Sequence, residues 1–391
     1  MEKTWRWFGK KDNITLTMLR QIGVEGIVTA LHDVPNGEVW TLDTINDLKH
    51  YIESFGLRWS VVESLPVSES IKYGGKEREQ LLENYRTSLE NLGKAGLKTV
   101  CYNFMPVIDW VRTDLYKKQE DGTMTLYFDK VRFAYFDLKI LKREGAEKEY
   151  SAKELEAVQE LDKSITETEK EELIQTIIVK TQGFINGNIK EGDQQPVELF
   201  KRLLKLYDGI DRNQLRENMK YFLESVIPTA EEYGVNLCVH PDDPPFAVFG
   251  LPRIVCGADD IEWLLNAVDS PNNGLTFCAG SLSASLRNNV PELARKFAKR
   301  THFVHLRSTD VDENGNFVEA SHLEGRGHLI EVVRIFEKEN PNLPMRIDHG
   351  KLMLDDVDKT YHPGYSFLGR MFALAQVSGI IATVKNEINS K

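Results

Sequence analysis

The feature that most constrains this chain is a rhythm. Short apolar runs rich in β-branched and aromatic residues alternate with longer segments of helical period, and the pair recurs eight times. The runs are "WRWF" from Trp5, "GIVTAL" from Gly26, "RWSVVES" from Arg58, "KTVCYNF" from Lys98, "GVNLCVH" from Gly234, "GLTFCAG" from Gly274, "THFVHLR" from Thr301 and "PMRIDHG" from Pro344. The segment after the second run is typical: Leu42, Ile45, Leu48 and Ile52 recur at helical spacing, and Gly56 supplies a stop. Eight strand-then-helix units predict an α/β chain, a closed parallel (β/α)8 TIM barrel, with residues 1–391 as one domain.

A doubly wound open sheet is the competing architecture. If it bound a nucleotide, it would carry a glycine-rich turn after its first strand. Neither "FGKKDN" nor "ALHDVPNG" is such a turn, and no GxGxxG or GxxxxGKS pattern occurs. The barrel is therefore preferred. Such barrels need roughly 250 residues, and the surplus lies from Phe104 to Gly234, about 130 residues where one helix would suffice. The charged stretch "LKREGAEKEYSAKELEAVQELDKSITETEKEELIQTIIV" in this region reads as helical. The expectation is a long, mainly helical insertion between strands four and five, over about 110–215. It is either a solvated helical hairpin or a cap over the barrel mouth or an oligomer contact.

The formal charge of −11 argues against a nucleic-acid groove as the main surface. Four cysteines without framework spacing fit a reducing compartment. No signal peptide is evident, and no run of ~20 apolar residues stands out as a membrane span. A soluble, cytoplasmic protein is expected, without nucleic-acid or membrane partners and self-associating as a homo-oligomer, first of all a dimer.

The last four runs each end on a residue able to hold a metal. His240 precedes Cys278 by 38 positions, His305 follows it by 27, and Asp348 lies a further 43 on. In a parallel barrel all strand C-termini open on one face, and adjacent strands lie about 4.8 Å apart. Imidazole, thiolate and carboxylate from four neighbours can then reach one ion. Singly, each has a plainer reading: a hydrogen-bonded core histidine, a small buried hydrophobe, a turn aspartate. Four on successive strand ends favour the metal, with zinc, Mn²⁺ and Fe²⁺ all open on ligand type. On the same predicted face lie His32 and Asp33 after strand two, Glu63, Asn103, Arg112, Arg307, His322 and Tyr365. Cations and amides around a metal describe a pocket for a hydroxylated anion.

"TALHDVPNGEVW", "KTVCYNFMPVIDWVRTDL", "NLCVHPDDPP" with "FGLPRIV", "GLTFCAGSL", "FVHLRS", "SHLEG", "RIDHG" and "PGYSFLGR" together resemble the metal-dependent D-mannonate dehydratases of the xylose-isomerase-like barrel type. The resemblance runs from the N-terminus to the last helix. It implies a small sugar-acid substrate: D-mannonate dehydrated to 2-dehydro-3-deoxy-D-gluconate in hexuronate breakdown, with Mn²⁺ or Fe²⁺. It implies His240, Cys278, His305 and Asp348 as ligands, the set the strand ends had already picked out. Such a dehydration needs a metal, a base for the proton next to the carboxylate, and an acid for the departing hydroxyl. Tyr365 is the first candidate base, its pKa expected to be lowered by the metal and nearby cations. Asp348 or His349 is the candidate for the proton going to the hydroxyl. Arg307, His322 and Asn103 would hold the carboxylate and hydroxyls, with His32 a further substrate contact. The alternatives are a sugar isomerase or metal-dependent phosphodiesterase of the same barrel class, or a non-catalytic sugar-acid-binding protein.

Overall fold

Valine, isoleucine and aromatic residues fill the eight short runs, and each run becomes a strand. The computed structural model describes residues 1–182, 189 and 192–390. Among the described residues the strands are β1 (Glu2–Arg6), β2 (Gly26–Thr29), β3 (Arg58–Glu63), β4 (Thr99–Tyr102), β5 (Asp114–Lys118), β6 (Met124–Phe128), β7 (Asn236–Val239), β8 (Asn273–Cys278), β9 (Thr301–Leu306), β10 (Ser308–Val311), β11 (Phe317–Ala320) and β12 (Pro344–Ile347). Eight close into a parallel barrel in the order β1-β12-β9-β8-β7-β4-β3-β2. These are the eight expected runs. Every residue of β2 and β8 is buried, because the barrel interior covers one face of each strand and helices the other.

Strand alternation decides what the interior contains. Val28, Val61, Cys101, Cys238 and Phe303 form a separate apolar cluster. Thr276 shares that level, donating to Cys101 Sγ at 3.2 Å. Two residues further along each strand, on the same side by period two, stand Ala30, Glu63, Asn103, His240, His305 and Cys278. A dry layer thus lies directly beneath a polar ring.

The helical segments follow the expected pattern. Helix Leu42–Glu53 is capped by Thr41 and buries Ile45 and Ile52. Gly56, just beyond it, takes φ +73°, which residues with a Cβ avoid.

The segment after β4 departs from the expectation of a mainly helical insertion: it opens with β5 and β6. They join β10 and β11 in a four-stranded sheet of order β10-β11-β6-β5. Gly122 and Gly315, at φ +81° and +83°, sit in the turns of the two hairpins. Helices Lys130–Tyr135, Ala152–Asp162, Glu167–Ile174 and Pro196–Lys205 follow before the barrel helix Arg212–Glu232. Phe249, in the loop after β7, meets Phe133 (4.5 Å between centroids), Phe136 (5.7 Å) and Phe200 (5.3 Å), fastening this segment to the barrel.

The final helix, Phe367–Asn389, corrects a further expectation. It has 23 residues, and an 18-residue window within it reaches a mean hydropathy of 1.5, long and apolar enough to cross a membrane by length and composition. It instead lays Gly369, Arg370, Ala373, Leu374, Val377, Ile381 and Val384 against the rest of the protein.

Candidate active site

The polar ring brings three of the expected ligands together. Donor atoms of His240, Cys278 and His305 all lie within 4.8 Å of one another. His240 Nε2 is 3.2 Å from His305 Nδ1, and His240 Nδ1 is 2.7 Å from the Pro241 carbonyl, which fixes the ring. The fourth expected ligand, Asp348, stands beside this cluster, its Oδ2 3.7 Å from Cys278 Sγ and 3.9 Å from His305 Nδ1. Cys278 ends β8 and begins a short turn of helix, where Ser281 donates to Sγ through both its backbone N–H (3.4 Å) and its hydroxyl (3.2 Å).

Around the donors runs a continuous ladder of buried ion pairs. Arg6 contacts Glu63 at 3.1 Å, and Arg346 binds both oxygens of Glu63 at 2.9 Å. Arg346 Nη1 also donates to Asp348 Oδ1 at 2.6 Å. Arg307 Nε lies 3.3 Å from Asp348 Oδ2, while its other nitrogens reach Asp243 (2.7 Å), Ser281 (2.8 Å) and Glu319 (3.0 Å). Arg112 closes the ladder on Asp243 at 2.8 Å and Glu319 at 2.9 Å. Gly280 makes this possible: a Cβ there would fall 2.0 Å from Arg307 Nε.

Burial opposes every charge in this ladder, and the neighbours overrule it. Burial would raise the Cys278 pKa, but Arg307 and His240 hold the thiol well below its usual value. Asp348 is held well below the ordinary carboxylate range against burial, chiefly by Arg346, and Glu63 likewise by Arg346 and Arg6. Burial pulls His240 down, yet the Cys278 thiolate beside it pushes its pKa up to about 10. Positive charge is therefore drawn to the donor cluster.

That is the test of whether a metal fits, and the residues pass it. The donor set is one thiolate, two imidazoles and an adjacent carboxylate, as first-row divalent ions accept. With His240 neutral, as a metal ligand must be, four guanidiniums (Arg6, Arg112, Arg307, Arg346) face five anionic groups (Glu63, Asp243, Cys278, Glu319, Asp348), one net negative charge. A divalent ion turns this into one net positive charge, the complement of a single carboxylate.

The remaining expected residues scatter around the mouth. His349 sits with Nδ1 2.9 Å from Arg307 Nη1 and 3.1 Å from Glu319 Oε1. Tyr365 is buried edge-on against His349, with ring centroids 5.3 Å apart. With no ion bound, burial raises its pKa, and Arg346 only partly compensates. Arg307, expected to hold substrate, has its terminal nitrogens on Asp243, Ser281 and Glu319. Asn103 turns its amide to Asp109 at 3.2 Å, and His322 Nε2 meets the Leu306 carbonyl at 2.9 Å. Burial lowers His322 to about 4, and burial with the Arg6 cation does the same to His32, so both rings are neutral. Sequence reasoning missed Arg6, Asp243, Ser281, Glu319 and Arg346. Arg6 and Arg346 were within reach, as charged residues inside apolar runs two positions after Thr4 and two before Asp348.

With this geometry in hand, known proteins give a consistent comparison. A family model described as D-mannonate dehydratase (UxuA) matches residues 1–391. A mannonate dehydratase of Marinomonas sp. (strain MWYL1) is 46% identical over 99% of this chain and 100% of its own length. One from Chromohalobacter salexigens is 42% identical over 98% and 99%. The crystal structure of mannonate dehydratase from Streptococcus suis serotype 2 superposes with TM-score 0.80 at 33% identity, covering 99% of this chain and 96% of that one. A D-tagatose 3-epimerase-like protein matches with TM-score 0.53 at 10% identity, covering 99% and 100%, a likeness of fold alone.

Proposed function

The chain belongs to the D-mannonate dehydratase family, and from that membership we propose how its own residues remove water from D-mannonate, as a hydro-lyase rather than a sugar isomerase or a non-catalytic sugar-acid-binding protein. The product is 2-dehydro-3-deoxy-D-gluconate, a step of hexuronate catabolism. His240, Cys278, His305 and Asp348 hold one divalent ion, Mn²⁺ or Fe²⁺. The observation that carries this reading is the donor cluster within 4.8 Å inside a ladder of ion pairs one positive charge short.

The reaction takes a proton from the carbon next to the carboxylate and hydroxide from the next carbon; the resulting enol becomes the ketone. When bound, the ion supplies Lewis acidity toward substrate oxygens. The protein supplies the proton traffic. Nδ1 of His349 is fixed between Arg307 and Glu319, leaving Nε2 to receive the α-proton. Tyr365, kept neutral by burial, gives its phenolic proton to the departing hydroxyl, a better use of a raised pKa than proton abstraction. Asp348 is ionised and paired with Arg346, which makes it a ligand rather than an acid. His32, Asn103 and His322 are neutral groups placed to meet hydroxyls.

The described residues of the segment at 110–215 act as a cap: β6 pairs with β11, whose Glu319 carboxylate reaches the site. Four unpaired cysteines support a cytoplasmic location. Exposed Leu354, Val357 and Phe372 support self-association as a homodimer, which sedimentation velocity tests directly.

The reaction is tested by stripping the protein with chelator and restoring Mn²⁺, Fe²⁺, Zn²⁺ or no ion under anaerobic conditions. D-mannonate is then added and the 2-keto-3-deoxy acid detected. Product with Mn²⁺ or Fe²⁺ alone is expected. No product with any ion, despite one bound metal per chain, would overturn the substrate.

A further inference from the structure

We propose that Arg6 is the anchor for the substrate carboxylate. The inference rests on the dehydratase reading and adds a residue to it. Four guanidiniums enter the ion-pair ladder, and their surroundings separate them. The side chains of Arg112, Arg307 and Arg346 are exposed by 0%, 1% and 2%, whereas Arg6 retains 11%. Arg6 is the most exposed of the four.

Its donors are also the least committed. Both oxygens of Glu63 are already bound by Arg346 at 2.9 Å, and Arg6 adds only Nη1 to Oε1 at 3.1 Å. Arg6 Nε meets no hydrogen-bond acceptor among the described residues. The same holds for the Nε of Arg112 and Arg307, but those two each bind two carboxylates through their terminal nitrogens, whereas Arg6 has only the Glu63 contact. A guanidinium with one terminal nitrogen on a shared carboxylate and its other donors without a protein acceptor among the described residues is suited to a second, two-pronged carboxylate.

The neighbours give that second anion a place. Arg6 is the last residue of β1, facing the barrel interior with Thr4, two residues below it. Its Cζ is 5.4 Å from the Phe8 ring, and Phe8 stands edge-on to Tyr365 at 5.0 Å. Glu63, which Arg6 touches, is in turn 3.6 Å from His305 Nε2. Arg6 is therefore across the mouth from the His240–Cys278 pair and on the side of Tyr365. A carboxylate held there puts the neighbouring carbons between Tyr365 and the donor cluster. As the α-proton leaves, negative charge grows on that carboxylate, and the same contact strengthens.

The test compares metal-loaded wild type with Arg6→Gln, using D-mannonate as substrate, anionic D-arabinonate as one inhibitor and neutral D-arabinitol as another. Metal content and folding are checked first. Loss of a charge-assisted, two-pronged contact should raise KM and the D-arabinonate inhibition constant about tenfold and lower kcat as well, with D-arabinitol unchanged. Arg6→Lys should restore part of the loss, since a point charge attracts the anion without the fork. If Arg6→Gln does not fold, the ratio of D-arabinonate to D-arabinitol inhibition in Arg6→Lys carries the comparison. An unchanged ratio in whichever variant folds overturns the proposal while leaving the dehydratase reading intact. An inactive metal-loaded wild type removes the dehydratase reading itself.

Discussion

Cys278 differs from Cys101 and Cys238 chiefly in its height along the barrel axis. The lower pair sits in the apolar layer, where burial raises the Cys101 thiol well above its ordinary pKa. At the level of Cys278, Arg307 and His240 reverse that effect. Cys278→Ser should therefore fold as well as the metal-free wild type yet bind Mn²⁺ at least about 100-fold more weakly, because a hydroxyl is a far poorer donor than a thiolate; equilibrium dialysis with metal analysis decides it, and wild-type affinity would remove Cys278 from the ligand set. Tyr365→Phe should lower kcat by roughly 10²–10⁴, the usual contribution of a general acid, with metal content unchanged, and normal turnover would remove Tyr365 from the chemistry. At this scale the sequence was informative about strand-end ligands, since each terminates a recognisable run. It was silent on protonation: the raised pKa of Tyr365 comes from burial by residues distant in the chain.

Among the elements, the β10–β11 hairpin matters most to the site. β9 ends at Leu306, and the chain re-enters extended structure at Ser308, so the barrel's seventh strand runs on into the small sheet. β11 then carries Glu319 back to Arg112, Arg307 and His349. Burial alone would raise the Glu319 pKa, but Arg307, His349 and Arg112 hold it at about 2. Its ordinary value is about 4.3, so its contribution is complete above that pH and is lost as pH falls toward about 2, on the order of 3 kcal/mol at most. Glu319→Gln should accordingly flatten the fall in urea midpoint between about pH 4.3 and about pH 2; an unchanged pH slope would contradict the assignment. The two hairpins escaped the sequence reading because β5, with "DLYKK", is short and polar and lay inside a region read as helical. Their signal was present as Asp121-Gly122 and Asn314-Gly315, each between alternating residues. All eight barrel strands were legible because burial on two faces demands continuous apolar runs.

For the molecule as a whole, a single barrel closes with a dry layer under a polar ring, and β6 of the segment after β4 meets the loop that follows β12 through the Met124–Leu352 bridge. An excess of acidic residues overall coexists with guanidiniums gathered at the mouth, which suits an anionic substrate approaching a metal rather than a nucleic acid spread along a surface. The C-terminal helix shows where composition misleads: its apolar length serves packing on one face, with Arg370 buried in it. On the proposed reading, one divalent ion sits on the ring with Cys278 among its ligands, and this species dehydrates D-mannonate. X-ray absorption at the metal edge of the active, Mn²⁺-loaded enzyme tests it most directly. One sulfur scatterer near the roughly 2.3 Å of a metal–thiolate bond, absent in Cys278→Ser, is the predicted result. An active enzyme whose metal shows only nitrogen and oxygen neighbours would contradict it.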